Sequence, residues 1–222
     1  MGTDSSLEEY QAFVAGVPVP QSDIDFFSKI PCARPYLDSN SYRAIPLFAR
    51  FKKEGPPRTT RDRFFNTILN SPDTIPHLLA LERKENSDVG DGLTLAASQN
   101  TAAGGDDDAD LVLFIDLRDG LCGYTDTAHG GVLGALLDEA LGTCLEGRRK
   151  VFSDGDSRLF TASLEVSYRS PVALPSVVCV KSWLRRREGR KWFVEGQILG
   201  EDGELKCEAK ALFLQAREKS QL

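Results

Sequence analysis

No apolar run in this chain approaches the roughly 20 residues that a membrane-spanning helix needs, so no membrane span is expected. Positive charge is also in short supply. Lys and Arg number 27 against 33 Asp and Glu, for a net charge of −6 and a pI of about 5.1. That balance argues against general binding to nucleic acid or to an anionic membrane surface. Cysteine is sparse and unpatterned: Cys32, Cys122, Cys144, Cys179 and Cys207 are odd in number and contain no Cys-x-x-Cys pair. They read as reduced thiols of an intracellular protein, with neither a disulfide frame nor a metal site. The first twenty residues hold Asp4, Glu8 and Glu9 but no Lys or Arg, so neither a secretory signal nor a mitochondrial presequence is expected. The expected location is the cytoplasm. The ending Ser220-Gln221-Leu222 is a loose variant of the peroxisomal Ser-Lys-Leu address and keeps that compartment open.

The 222 residues, 41% of them hydrophobic, fit one domain with appendages. Residues 1–85 read as an N-terminal extension, proline-punctuated over its first 58 positions, with short helices at Leu7–Ala15 and Asp23–Lys29. Thr60 is placed to cap a helix running through Phe64, Phe65, Ile68 and Leu69 and ending before Pro72. Thr74–Arg83 reads as a strand or short apolar segment, and its His77 as a surface or satisfied histidine. Residues 86–110 shift to Gly, Asp, Ser and Ala and read as a flexible loop.

The main domain is expected over 111–217. Leu111–Leu117 reads as a strand that Asp119-Gly120 ends. Residues 158–170 alternate, with Phe160, Ala162, Leu164, Val166 and Tyr168 on one face and Thr161, Ser163, Glu165, Ser167 and Arg169 on the other, the mark of a half-buried strand. Further strands follow at about 176–187, 191–199 and 204–215, joined by hairpin turns at Glu188-Gly189 and Asp202-Gly203.

Between the first strand and this meander lies the stretch around which the chain is organised, His129–Cys144. Two glycines open it, and Leu133, Leu136, Leu137 and Leu141 make the helix it would form apolar on nearly every face. Gly147 is a plausible C-cap, and Arg148, Arg149 and Lys150 suit the negative helix end. Asp138 and Glu139 sit in the middle. A buried unpaired carboxylate is costly, so at least one should face a polar cleft or a partner. The first N–H groups of a helix lack internal acceptors, and Gly130 and Gly131 would let a ligand oxygen approach them. A long apolar helix followed by an antiparallel meander suggests an α+β fold in which the sheet wraps around the helix.

The string His-Gly-Gly-Val-Leu-Gly-Ala-Leu-Leu-Asp-Glu-Ala-Leu-Gly resembles the signature of hot-dog-fold acyl-CoA thioesterases, the 4-hydroxybenzoyl-CoA and phenylacetate thioesterase-like superfamily. The strand Thr161–Pro171, with its hydroxyl residue at the start and its Tyr-x-x-Pro ending, resembles the same family, and residues 60–84 more distantly resemble the N-terminal extensions of fungal members. The resemblance implies a hot-dog fold and hydrolysis of an acyl-CoA thioester to a carboxylic acid and free CoA. Coenzyme A enters as part of the substrate, with no separate cofactor and no metal.

By resemblance the N–H of Gly130 polarises the thioester carbonyl. Asp138, nine positions after His129, is the catalytic acid residue, as general base or as nucleophile. Thr161 would hydrogen-bond Asp138 or the attacking water, and His129 would orient the carbonyl or cap the helix. Gly131 and Arg169 are further substrate-binding candidates. So are Arg187 and Lys191 in the basic turn Arg185–Lys191, which suits the CoA phosphates or is simply a solvated hairpin tip. One departure is that Gly123–Ala128 stands where many relatives carry an Asn or a Gly-His-Pro-Gly-type loop.

Gly130 and Asp138 on one helix lie ~12 Å apart along its axis, too far to act on one carbonyl. Each site therefore calls for two chains, in a homodimer or a dimer of dimers. Rival readings keep the fold but take a carrier-protein or polyketide-type thioester, or bind acyl-CoA without catalysis.

Overall fold

A computed structural model describes residues 7–52, 60–84, 109–149 and 157–217. Three helices lead the chain, α1 (Leu7–Gly16), α2 (Gln21–Phe27) and α3 (Arg34–Leu37). Strands β1 (Tyr42–Ile45), β2 (Leu78–Arg83) and β3 (Leu111–Leu117) follow, then a small ribbon of β4 (Cys122–Tyr124) and β5 (Thr127–Ala128). The long helix is α4 (Gly130–Arg149), and the meander is β6 (Leu159–Tyr168), β7 (Ser176–Glu188), β8 (Lys191–Gly200) and β9 (Leu205–Gln215). Seven strands form one antiparallel sheet in the order β1-β2-β3-β7-β8-β9-β6. The expected loop at 86–110 lies outside the described residues except for Ala109 and Asp110, as does the C-terminal tripeptide.

Helix α4 buries one stripe rather than its whole surface. Leu133, Leu136, Leu137, Ala140, Leu141, Cys144 and Leu145 recur at three- and four-residue steps and pack on the inner face of the sheet. That face is supplied by Leu113 and Ile115 of β3, Val178 and Val180 of β7, Trp192, Val194 and Ile198 of β8, and Ala209, Ala211 and Phe213 of β9. The other side of α4, with Gly134, Ala135, Asp138 and Gly142, is only half-buried.

The outer face of β2, β3 and β7 is covered too. Phe27 of α2 and Tyr36 of α3, with Ala33 and Tyr42, close over Leu79, Leu81, Val112, Phe114, Val177 and Cys179. Covered on both sides, β3 is buried at every position, which is why Leu111–Leu117 reads as a continuous apolar run rather than an alternating one.

The structure corrects the sequence reading in several places. Asp62 takes a left-handed conformation (φ 55°), so no helix can run from Thr60. What remains is one π turn, Phe64–Ile68, whose first boundary residue is Arg63 and not Thr60. Pro76 lacks an N–H and Thr74 is tied back to the Leu69 carbonyl at 2.7 Å, so the strand expected from Thr74 begins only at Leu78.

Gly147 does not cap α4, which continues to Arg149. A Cβ there would meet Glu82 Oε1, so the Glu82 side chain packs closely on a bare backbone at this position. Arg148 instead meets Asp110, whose other carboxylate oxygen accepts the Leu184 N–H at 2.8 Å. Arg149 is buried against Glu146 and the Ser157 carbonyl.

The most consequential correction is in β6. Thr161 pairs with Phe213 and Ser163 with Leu212, so two steps on β6 match one on β9, and Ala162 is the extra residue of a bulge. Residues directly opposite on antiparallel strands share a face. Thr161 therefore joins Leu164, Val166 and Tyr168 on the inner face, while Phe160, 55% exposed, lies on the outer face opposite Leu214. Strict alternation puts both on the wrong side.

Candidate active site

The start of α4 is set by its histidine. The His129 N–H donates to the Leu121 carbonyl at 2.8 Å, anchoring the residue beside the β4–β5 ribbon. Its Nδ1 then accepts the Gly131 N–H at 2.9 Å, so the imidazole caps the helix and the neutral ring carries its proton on Nε2. This consumes the Gly131 donor. The Gly130 N–H has no acceptor among the described residues, and it points from the positive end of a 20-residue helix.

Tyr168, at the far end of β6, donates its hydroxyl to the Gly130 carbonyl at 2.8 Å. Its ring would stand 3.3 Å from any Cβ at position 130. A cleft of about 640 Å³ opens over this helix start, with Tyr124, Thr127, His129, Gly130, Tyr168 and Arg169 among its walls.

Two turns further along, Asp138 is half-buried on the open side of α4, and its Oδ1 accepts the Thr161 hydroxyl at 2.8 Å. The contact exists because of the Ala162 bulge. Oδ2 of Asp138 is left for other chemistry. The neighbouring Glu139 receives the Thr143 hydroxyl only at 3.5 Å. β6 runs antiparallel to α4, so its two ends meet the two halves of the site: Thr161 at Asp138 and Tyr168 at Gly130. Within one chain the halves are separated by the ~12 Å helix rise.

The candidate cations differ in placement. Arg169 stands on the rim of the cleft and is paired with Glu208 through Nε at 3.0 Å. Arg187 stacks over the Trp192 ring at 4.5 Å and donates to the Gly189 carbonyl. A bulge between Leu184 and Arg186 turns it inward, so Arg187, Trp192, Phe213 and Thr161 form one cross-strand row on the face that carries α4. Lys191 is exposed and pairs with Leu214 on the outer row. The other basic side chains of the turn are held by neighbouring strands: Arg185 by Glu195 of β8 at 2.8 Å, Arg186 over Phe193 of β8 at 3.7 Å, and Arg190 on the Gln215 carbonyl of β9 at 2.8 Å.

His77 is satisfied away from this region, bonded to Asp23 at 2.8 Å and stacked on Phe26. The reading of the sequence missed the Tyr168 hydroxyl. Its one signal was a phenol at the end of a strand whose other end already matched the helix centre. Among the described residues no group of three or more His, Cys, Asp or Glu is placed to hold a metal ion, and no helix is long and apolar enough to cross a membrane.

The sequence model of the thioesterase superfamily matches residues 125–207, from β5 through α4 into β9. Acyl-coenzyme A thioesterase THEM4 of Mus musculus is 39% identical over 95 residues, covering 42% of this chain and 38% of that protein. Verlamelin biosynthesis protein B of a Lecanicillium species is 26% identical over 126 residues, covering 57% of this chain and 49% of that protein. The chain therefore spans half or less of the length of either relative. A solved hypothetical thioesterase with coenzyme A from Streptococcus pneumoniae TIGR4 overlays with a TM-score of 0.43 at 18% identity, covering 50% of this chain and 83% of that one. Residues 125–207 are thus similar to the thioesterase superfamily, and the antiparallel sheet around the long helix α4 is a hot-dog fold.

Proposed function

We propose that this protein hydrolyses acyl-CoA thioesters to a carboxylic acid and free CoA, as a homodimer with two shared sites. The observation that carries the reading is the 2.8 Å bond from Thr161 to Asp138, made on the same helix that leaves the Gly130 N–H unpaired. In each site the thioester oxygen accepts the Gly130 N–H of one subunit, where the helix dipole favours the developing oxyanion. Asp138 of the partner subunit, oriented by Thr161, attacks through Oδ2 or takes a proton from water. The thiolate of CoA is the leaving group. The chain's own groups and water suffice for these steps, and no metal or cofactor is part of the proposal.

The shared site follows from distance. Asp138 cannot reach a carbonyl held ~3 Å from Gly130 of its own helix, whereas two antiparallel helices about a two-fold axis bring the halves together. The small, half-buried side of α4 (Gly134, Ala135, Gly142) and the free edge of β6 suit such a neighbour. Arg187 and Arg169 are proposed to meet the CoA phosphates, and the reduced thiols favour the cytoplasm.

Asp138→Asn should lower kcat on a panel of acyl-CoAs by about 100-fold or more without loss of fold. Mixing equal amounts of Asp138→Asn and Gly130→Pro subunits should restore about a quarter of the wild-type activity, because about half of the dimers are then mixed and one site of each mixed dimer carries both lesions and the other neither. A mixture as inactive as its parents rules out the shared site. Wild-type turnover by Asp138→Asn rules out the catalytic assignment. After a single turnover in ¹⁸O-labelled water, label in the Asp138 carboxylate identifies the nucleophilic route, because it enters only when water attacks the Asp138 carbon of a mixed anhydride.

A further inference from the structure

A second cavity, of about 480 Å³, lies at the β1–β2 edge, and none of its lining residues belongs to the cleft over Gly130. Its walls are largely apolar, with Val19, Ile45, Leu47, Phe51, Pro76 and Leu78 among them. Its charged groups are Arg50, Lys52 and Asp23. This is the composition of a small-molecule pocket, apolar with a few convergent polar groups.

Arg50 is the unusual member. It is half-buried, and its one hydrogen bond, from Nη1 to the Leu69 carbonyl, is a long 3.4 Å. No carboxylate of the described residues lies within ion-pair distance of it. Burial pulls its pKa down from the usual guanidinium value, and the charge of Asp23 offsets this only in part. Two other polar groups of the cavity are already committed. Asp23 is buried and holds His77 at 2.8 Å, and Asn66 donates to the Arg61 carbonyl while accepting the Thr67 hydroxyl at 2.7 Å. Arg50 retains planar N–H donors facing an apolar hollow, with the Lys52 ammonium at the rim.

We infer that this cavity is a binding site for a monoanionic carboxylate with an apolar tail, the carboxylate forked on Arg50 and the tail lying along Ile45, Leu47 and Leu78. Arg50 and Lys52 together carry two positive charges and Asp23 one negative, so the lining is suited to a single negative charge; a dianionic phosphate would meet repulsion from Asp23. Carboxylates of this class are also what the proposed thioester hydrolysis releases. The binding inference does not rest on that reading, because it is measured without acyl-CoA and away from the catalytic residues.

The test is calorimetric titration of the full chain at pH 7 with decanoate below its micelle concentration, alongside decanol and decyl phosphate. Decanoate should bind wild type and Tyr168→Phe alike, Arg50→Met about tenfold or more weakly, and Lys52→Met about threefold more weakly. Decanol should bind wild type no better than decanoate binds Arg50→Met, and decyl phosphate should bind more weakly than decanoate. Unchanged affinity in Arg50→Met, equal affinity for decanol, or tighter binding of decyl phosphate each overturns the assignment. Should Arg50→Met fail to fold, exposed Lys52 and added salt decide the matter. Binding that weakens with both supports the site, and binding indifferent to both refutes it.

Discussion

Thr161 lies on an edge strand that water reaches from both sides, yet its hydroxyl is committed to one carboxylate oxygen of Asp138 at 2.8 Å. A donor on Oδ1 fixes the carboxylate plane and directs Oδ2, so in the proposed mechanism Thr161 positions Asp138 rather than reacting. A hydrogen bond to a charged group contributes about 1.5–3 kcal/mol. Thr161→Val should therefore lower kcat by about ten- to a hundredfold with KM nearly unchanged, and Thr161→Ser should restore most of it. Steady-state kinetics on one acyl-CoA would show this, and equal losses for Val and Ser would instead point to packing. His129 acts the same way on the other half of the site: by capping Gly131 it leaves Gly130 as the one donor without an acceptor among the described N–H groups at the helix start.

At the scale of elements, α4 is held at both ends by β-strand residues, by Tyr168 at Gly130 and by the β2 carboxylate of Glu82 beside Gly147. Glu82 is in turn fixed by Arg43 at 2.6 Å. A methyl group at position 147 should gain up to ~1 kcal/mol of helix propensity but must shift Glu82 Oε1, while Oε2 of the same carboxylate is held by Arg43. Gly147→Ala should thus destabilise the protein by about 1 kcal/mol in urea unfolding. In a Glu82→Ala background the same change should become neutral or stabilising. A stabilising effect in both backgrounds would mean that Glu82 moves aside freely.

Over the whole molecule, the extension and the sheet share an outer core, and α4 and the sheet an inner one, which leaves the cysteines in unequal surroundings. Cys122 is exposed beside the cleft, Cys32 is half-buried, and Cys144, Cys179 and Cys207 are buried. Burial pushes the Cys207 thiol up to about 12 and the Cys144 thiol well above its usual range, so at pH 8 neither supplies thiolate. An aromatic disulfide reagent should modify Cys122 first and leave Cys144 and Cys207 untouched until denaturant is added. Mass mapping of the labelled peptides checks the order, and early labelling of Cys207 would contradict the burial shown here.

By itself the sequence determined the elements whose signals are local and periodic. The Gly-Gly start and leucine spacing of 130–149 specify a helix, the turns at Glu188-Gly189 and Asp202-Gly203 specify a meander, and the carboxylate amid an apolar run singles out Asp138. The motif carried the pairing of Asp138 with Thr161 by resemblance, although the alternation of β6 pointed Thr161 the other way. Only the tertiary structure decided that conflict, because a bulge is a mismatch between two strands and has no signature in either one alone. The same holds for the approach of Glu82 to Gly147 and for Arg50 at the second cavity. Each depends on which distant residue arrives beside it, and that is settled by packing, not by local periodicity.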